Sequence, residues 1–305
     1  MDAGLLYNRS DRSAEARTWW GRRDVQDAWS LLQEPLYAHG ERTVRLHERA
    51  ISLHDMAFAF EIGLGPVKHP VKIPAGIGVT WYGVLTEQSI TDIASIHGIL
   101  WKVRPLLLLE VGTMCGSSAV VFAKMMQDYD RRARVITFDK TRPEERGAKC
   151  QHKQAGYSSP LWSALKASGN LLPLLGDVTS SEILALLRAE ARRLGGPVMV
   201  IDDASHVAHT SVALWSALSS LVTVGSYYLI QDTRLDTDCA LSFLTMPPGS
   251  VYWYCRRIQI EGGPARAVAN ITRQAEFHRS WRQDRSVEQW VITQHPGGYL
   301  KRVRE

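Results

Sequence analysis

Two short segments of this sequence carry acids and an imidazole at positions where they could act together. Ile201-Asp202-Asp203-Ala204-Ser205-His206 and Ile230-Gln231-Asp232 each close an apolar run with polar, acid-bearing residues. If the two runs are neighbouring strands of one sheet, Asp203, Asp232 and the Gln231 side-chain oxygen form an all-oxygen face. Such a face suits a hard cation such as Mg²⁺, with waters and substrate hydroxyls completing the octahedron. His206 follows Asp203 by three residues, where the chain enters a helix, and would face the same pocket as a general base. Each residue also has a plain structural role open to it. An acid at a strand end commonly caps a helix, Asp202 either does so or points away, and a histidine at a helix start is commonly structural. The joint pattern resists that reading, because three features fall at mutually consistent strand ends.

A second constellation lies upstream in Glu110-Val111-Gly112-Thr113-Met114-Cys115-Gly116-Ser117-Ser118. It follows a buried apolar run and opens a helix, the place where an open α/β sheet binds ligands. Gly112 permits a tight turn and Gly116 a close approach of backbone to a ligand. The dinucleotide pattern G-x-G-x-x-G is absent, which argues against a nicotinamide-dependent oxidoreductase. An acid before G-x-x-x-G suits a ligand with a cationic amino group, so Glu110 is placed to face the methionine moiety of S-adenosylmethionine, with Thr113 and Ser117 in the same loop. Asp139 ends the next strand, 23 residues after Gly116, where a carboxylate can accept from both ribose hydroxyls. Asp177 follows Gly176 in a later loop and has two readings, an adenine amino contact or a helix cap before the next apolar run.

The elements that must position these residues are legible from periodicity. Thr86 to Trp101 reads as a helix, with Ile90, Ile93, Ile96 and Leu100 near one face. Leu106–Val111 is a continuous apolar run of the kind found in central parallel strands covered on both faces. Ser117–Tyr129 is a helix, Arg134–Asp139 a strand, Val198–Asp202 a strand and Tyr227–Asp232 another, with a helix carrying Val207, Leu214, Leu218 and Leu221 between the last two. This alternation predicts an α/β fold, a Rossmann-like doubly wound and mostly parallel sheet. Val251–Cys255 and Gln289–Thr293 read as strands of a closing, hairpin-like pair. Residues 1 to about 75 differ in character, rich in Arg, Glu and His, with Trp29, Leu32, Leu36, Leu46, Ile51 and Phe58 spaced for helices. They read as a helical extension, a lid or oligomerisation element, ahead of a catalytic domain over 76–305.

Bulk properties narrow the class further. The chain has 305 residues, is 45% hydrophobic and 22% charged, and can bury a full-sized core. Its net charge of +5 comes from scattered short groups such as Arg131-Arg132, not from a stripe that would bind nucleic acid. No apolar run approaches a membrane span, and the first residues lack a signal peptide's apolar stretch. Four cysteines without metal-type spacing are expected as reduced thiols in a cytoplasmic protein. The expected partner is a small hydroxylated molecule, with a homo-oligomer allowed.

At these residues the sequence resembles the cephalosporin hydroxylase and rhamnosyl O-methyltransferase family. The resemblance runs from about Trp81 to the C-terminus. Its landmarks are Glu110-x-Gly-x-x-x-Gly, Asp203-x-x-His206, Val224-Gly-Ser-Tyr-Tyr-Leu-Ile-Gln-Asp232, Gly263-Pro-Ala-Arg-Ala-Val and Pro296-Gly-Gly-Tyr-Leu-Lys-Arg. It implies a class I methyltransferase fold and S-adenosylmethionine-dependent O-methylation of a sugar or small natural product. By position it implies Asp203 and Asp232 as Mg²⁺ ligands, His206 as base, and Glu110, Gly112, Gly116 and Asp139 as cofactor contacts. The family usually carries Glu where this chain has Gln231, so the site loses one negative charge. Weaker metal binding, a dispensable metal, or an inactive relative that retains the fold are each consistent with that change.

Overall fold

The computed structural model describes residues 43–46, 49–52, 80–86, 88–147, 150, 154–245, 253–288 and 293–305. The first elements are two antiparallel hairpins, β1 (Thr43–Leu46) with β2 (Arg49–Ser52) and β3 (Thr80–Trp81) with β4 (Val84–Leu85). The first of these corrects the all-helical expectation for the N-terminal region: Leu46 and Ile51 lie in paired strands, where β-branched Thr43, Val44 and Ile51 are well suited. The rest of that helical reading, and the division at residue 75, lie outside the described residues.

Next come α1 (Ile90–Val103), β5 (Leu107–Val111), α2 (Ser117–Tyr129), β6 (Arg134–Asp139), α3 (Pro160–Ala167), β7 (Leu171–Leu175), α4 (Ser181–Leu194), β8 (Val198–Asp202), α5 (Ala208–Leu218) and β9 (Tyr227–Ile230). The chain closes with α6 (Leu235–Thr245), α7 (Trp253–Glu261), α8 (Pro264–Thr272), α9 (Ala275–Ser280), β10 (Trp281–Gln283) and β11 (Tyr299–Arg302). Helix α1 begins at Ile90, not Thr86, because the extended Ser89 caps it by accepting from the Asp92 N–H at 3.1 Å.

Among the described residues β5 to β11 form one sheet in the order β10-β11-β9-β8-β5-β6-β7. Strands β5 to β9 are parallel, and β11 and β10 complete the edge antiparallel. The closing pair is therefore Trp281–Gln283 with Tyr299–Arg302, not the two segments expected from sequence. Of those, Tyr254 and Cys255 are helical, 251–252 and 289–292 lie outside the described residues, and Thr293 is in no strand. An aromatic run has no period that separates a short strand from a helix, and contacts decided it here: Cys255 and Ile258 pack with Cys239 of α6.

Side-chain alternation along the strands sorts the core into two layers. Leu108, Val135, Met199, Ile201 and Leu229 face α1 and α2 through Ile93, Ile96, Leu100, Val120, Phe122 and Met126. Leu107, Leu109, Ile136, Val198, Val200, Tyr228 and Leu300 face the other side, through Leu187, Leu214, Leu218, Val268 and Ile271. The strand order reverses between β5 and β8, and a ligand crevice belongs at that switch point, outside the carboxyl ends of the strands. Among the described residues no helix is long and apolar enough to cross a membrane.

The four cysteines are paired, which corrects the expectation of free thiols. Cys115 joins Cys150 with Cα atoms 5.2 Å apart, and Cys239 joins Cys255 at 5.0 Å. Separations of 35 and 16 residues gave no hint that folding brings each pair together.

Trp215 of α5 ties the antiparallel edge to the parallel sheet. Its ring meets Tyr228 of β9 at 5.0 Å and Trp281 of β10 at 4.6 Å between centroids, both edge-on. Trp215→Ala should lower the unfolding free energy by about 3–5 kcal/mol, measured by urea denaturation. A loss below about 1 kcal/mol would show that this edge does not depend on the aromatic cluster.

Candidate active site

The strands that carry the polar residues end level with one another. Val111 of β5 pairs in register with Phe138 of β6 and Asp202 of β8, and Asp202 pairs with Ile230 of β9. Pairing continues one step further, the Asp203 N–H donating to the Val111 carbonyl at 2.8 Å and the Gln231 N–H to the Asp202 carbonyl at 2.9 Å. Gly112 turns with φ +114°, and a Cβ there would overlap the Asp203 carbonyl group. The glycine loop and the Asp203 loop thus meet backbone to backbone.

Asp203, His206 and Asp232 come together with one potential ligand atom from each within 4.8 Å of the others. All three are half-buried, and His206 Nε2 lies 3.7 Å from Asp232 Oδ2. His206 and Asp232 both have φ of 55°, the left-handed region that costs a non-glycine residue about 1–3 kcal/mol unless its surroundings impose it. Asp202 turns the other way, fully buried, with Oδ1 accepting from the Ala204 N–H at 3.3 Å; burial raises its pKa. Gln231 does not join the group as expected. Its side chain is buried, and Oε1 accepts from Gln88 Nε2 at 2.9 Å, while Gln231 Nε2 and Gln88 Oε1 have no partner.

On the other flank Glu110 is completely buried at the end of β5. Oε2 accepts from the Thr137 hydroxyl at 2.6 Å, and the Thr137 and Thr113 hydroxyls bond at 2.7 Å, while Glu110 Oε1 has no partner. Burial pushes its pKa up to about 7, against the pull of the Ser118 and Thr137 hydroxyls. A buried carboxylate with an empty acceptor position is suited to a cationic amino group.

Asp139 lies beside this loop, as expected, but already has protein donors. Oδ2 accepts from the Met114 N–H at 2.9 Å, and Oδ1 from the Thr141 N–H at 3.1 Å and from the Arg146 guanidinium. Ribose hydroxyls would have to share it. Gly116 takes φ 73° at the start of α2, and along the direction a Cβ would take it meets the Trp162 ring, so packing against the protein also requires glycine here. Ser117 Oγ accepts from the Gly156 N–H at 3.1 Å, so it too contacts the protein. Asp177 is exposed, and Oδ1 accepts from the Thr179 N–H at 2.9 Å and hydroxyl at 2.7 Å. That local turn precedes α4, whose cap is Ser180, so Asp177 does not cap the helix as one reading expected.

Buried His295 and half-buried Asp236, on the segment that follows Asp232, escaped sequence reasoning. His295 accepts the Asp232 N–H on Nδ1 at 2.8 Å. Asp236 accepts from the Gly263 and Ala265 N–H groups at 3.0 and 2.9 Å, and burial raises its pKa to about 6. Asp236 thereby caps α8, and a Cβ on Gly263 would overlap its carboxylate. Gly-Pro-Ala opening a helix with no capping side chain of its own was the available signal.

The family model described as Rhamnosyl O-methyltransferase/CmcI matches residues 77–303. The chain belongs to this family. A rhamnosyl O-methyltransferase of Mycobacterium leprae is 24% identical over 157 residues, covering 52% of this chain and 61% of that protein. One from Mycobacterium tuberculosis is 26% identical over 161 residues, covering 52% and 58%. The chain thus spans about three-fifths of the length of these curated relatives. Among solved structures, an apo form of CmcI is 18% identical with a TM-score of 0.48 over 88% of this chain and 91% of that one. A Mg-SAM form of CmcI is 20% identical with a TM-score of 0.44, covering 78% and 87%.

Glu110 makes a testable contribution to stability. Its folded pKa lies above the usual 4.5, so its contribution is intact below that pH and is lost as pH rises through about 7. The loss amounts to about 3 kcal/mol at full ionisation. Glu110→Gln should unfold at higher denaturant than the wild type at pH 8 and show a flatter pH dependence; parallel profiles would mean that Glu110 ionises freely.

Proposed function

We propose that this chain transfers a methyl group from S-adenosylmethionine to a hydroxyl of a sugar or small natural product, assisted by Mg²⁺. The observation that carries the reading is the convergence of Asp203, His206 and Asp232 beside a glycine loop whose neighbouring carboxylate, Glu110, has one oxygen without a hydrogen-bond partner. Family membership supports the same chemistry. When bound, S-adenosylmethionine supplies the methyl group, and the cation supplies Lewis acidity that acidifies a hydroxyl oxygen.

The chain's residues divide the remaining work. Glu110 receives the cofactor's amino group, and Asp139 shares its oxygens between its present donors and the ribose, with Gly112, Thr113, Gly116 and Ser117 shaping the loop. Asp203 and Asp232 hold the cation. Mg²⁺ favours oxygen donors, which leaves the His206 imidazole to accept the hydroxyl proton. Alignment of the acceptor oxygen with the methyl carbon is the principal demand of an in-line displacement. Gln231 stays behind the site on Gln88, and Asp177 serves the α4 turn. The sugar or natural-product acceptor follows from the family, and the curated rhamnosyl relatives favour a sugar.

A second reading, a relative that binds cofactor without turnover, draws support from Gln231. With its oxygen on Gln88, the cation face is limited to two carboxylates.

Calorimetric titration with S-adenosylhomocysteine, with and without Mg²⁺, tests the cofactor, and methyl transfer to a panel of sugar acceptors tests turnover. Asp203→Ala should abolish transfer with little change in cofactor affinity. His206→Ala should lower turnover by about 10²-fold or more. Absence of cofactor binding removes the methyltransferase reading, and binding without transfer to any acceptor selects the second.

A further inference from the structure

The tail sequence Thr293-Gln294-His295-Pro296-Gly297-Gly298 wraps the segment that carries Asp232. The Arg234 N–H donates to the Gln294 carbonyl at 3.1 Å, the Thr233 hydroxyl to the Pro296 carbonyl at 2.8 Å, and the Ile230 N–H to the Gly298 carbonyl at 3.0 Å. A Cβ on Gly298 would overlap the Ile230 carbonyl, so the wrap requires glycine there. At its centre is His295, with no exposed surface.

The hydrogen bonds assign the protons of this imidazole. Nδ1 accepts the Asp232 N–H, so in the neutral ring the proton sits on Nε2. Nε2 faces Asp92 Oδ2 at 3.9 Å and has no hydrogen-bond partner. Asp92 is held in turn by the cap of its own helix and by the tail segment. It accepts from the Ser89 hydroxyl at 2.5 Å, the Gln294 N–H at 2.8 Å and the Thr293 hydroxyl. Tyr299 adds its hydroxyl at 3.4 Å.

We infer that His295, backed by Asp92, is a positioning residue for Asp232, holding that residue's strained backbone so that its carboxylate faces Asp203 and His206. The inference rests on the proposed metal role of Asp232. An L-residue at φ 55° needs an external restraint, and among the described residues the Nδ1 bond is the one that the Asp232 N–H makes. Outer-shell partners that orient metal-binding residues commonly set affinity by 10–100-fold.

Two variants separate positioning from packing. Asn at this place puts a carbonyl oxygen near Nδ1, whereas Gln, closer to histidine in reach, puts one near Nε2. Mg²⁺ affinity would be measured by calorimetry on protein saturated with S-adenosylhomocysteine, whose own affinity is measured first. His295→Gln should weaken Mg²⁺ binding at least 10-fold, and His295→Asn by less than about 3-fold, with cofactor affinity within 2-fold in both. Equal metal affinity in the two variants, joint loss of metal and cofactor binding, or unfolding of both would make His295 a packing residue and overturn the proposal. A wild type that binds cofactor but no Mg²⁺ would refute the metal reading and this inference with it, whereas a metal-binding wild type with unaffected variants refutes this inference alone.

Discussion

The arrangement depends on the absence of one side chain, at Gly112. The cofactor-type loop after β5 and the acidic loop after β8 can share one crevice only if their backbones touch, and they touch where the Gly112 Cα faces the Asp203 carbonyl. A left-handed φ of +114° and zero side-chain volume are both needed at that point, and glycine alone supplies them. This contact sets the backbone spacing of the two strand ends that carry Glu110 on one flank and Asp203 on the other. Geometry set in this way resists thermal blurring, as the proposed in-line transfer between two bound partners would demand.

The carboxyl edge of the sheet is only the front of the site. Behind it, the start of α1 contributes Gln88, Ser89 and Asp92, and the tail contributes Thr293, Gln294 and His295, which meet around Gln231 and Asp232. Segments 201 and 202 residues apart in sequence therefore brace one short turn. The Cys115–Cys150 disulfide and the Arg146–Asp139 ion pair do the same for the opposite flank, fastening the segment after β6 onto the glycine loop.

Much of this was legible in the sequence, and the division has a physical cause. The central strands announced themselves as continuous apolar runs, and α2 as a helical stripe, because burial on both faces leaves no other pattern. Asp203, His206 and Asp232 were legible because a strand end fixes where the next residue points. What escaped depended on contacts between distant segments: the disulfides, the Asp236 cap on α8, and His295. The aromatic run around Tyr254 fits a strand or a helix equally well until its partner is known. Gly116 shows how a demand for space can be legible while its occupant is not. Its type was read correctly as a demand for space, but the occupant of that space is Trp162 of α3, which no local pattern specifies. Asp177 closes a local turn onto Thr179, and the cap of α4 falls three residues on at Ser180.

Gln231 changes the electrostatic problem at the site's centre. Two carboxylates about 5 Å apart repel by about 3 kcal/mol at an effective dielectric of 20, and a third at similar range would roughly triple that term. A three-acid face therefore relies on a cation for its stability, whereas Asp203 and Asp232 together with a neutral amide do not. The amide instead binds Gln88 and ties the turn to the start of α1. Substitution of acid by amide thus exchanges charge for order: less Coulombic attraction for a divalent ion, and a more fixed backbone from which the remaining acids project. With fewer charges to draw an ion in, the affinity of the proposed metal site would depend more steeply on how well those two carboxylates are aimed, and Asp232, strained in its backbone and half-exposed, is the one whose aim the surrounding polar network would have to maintain.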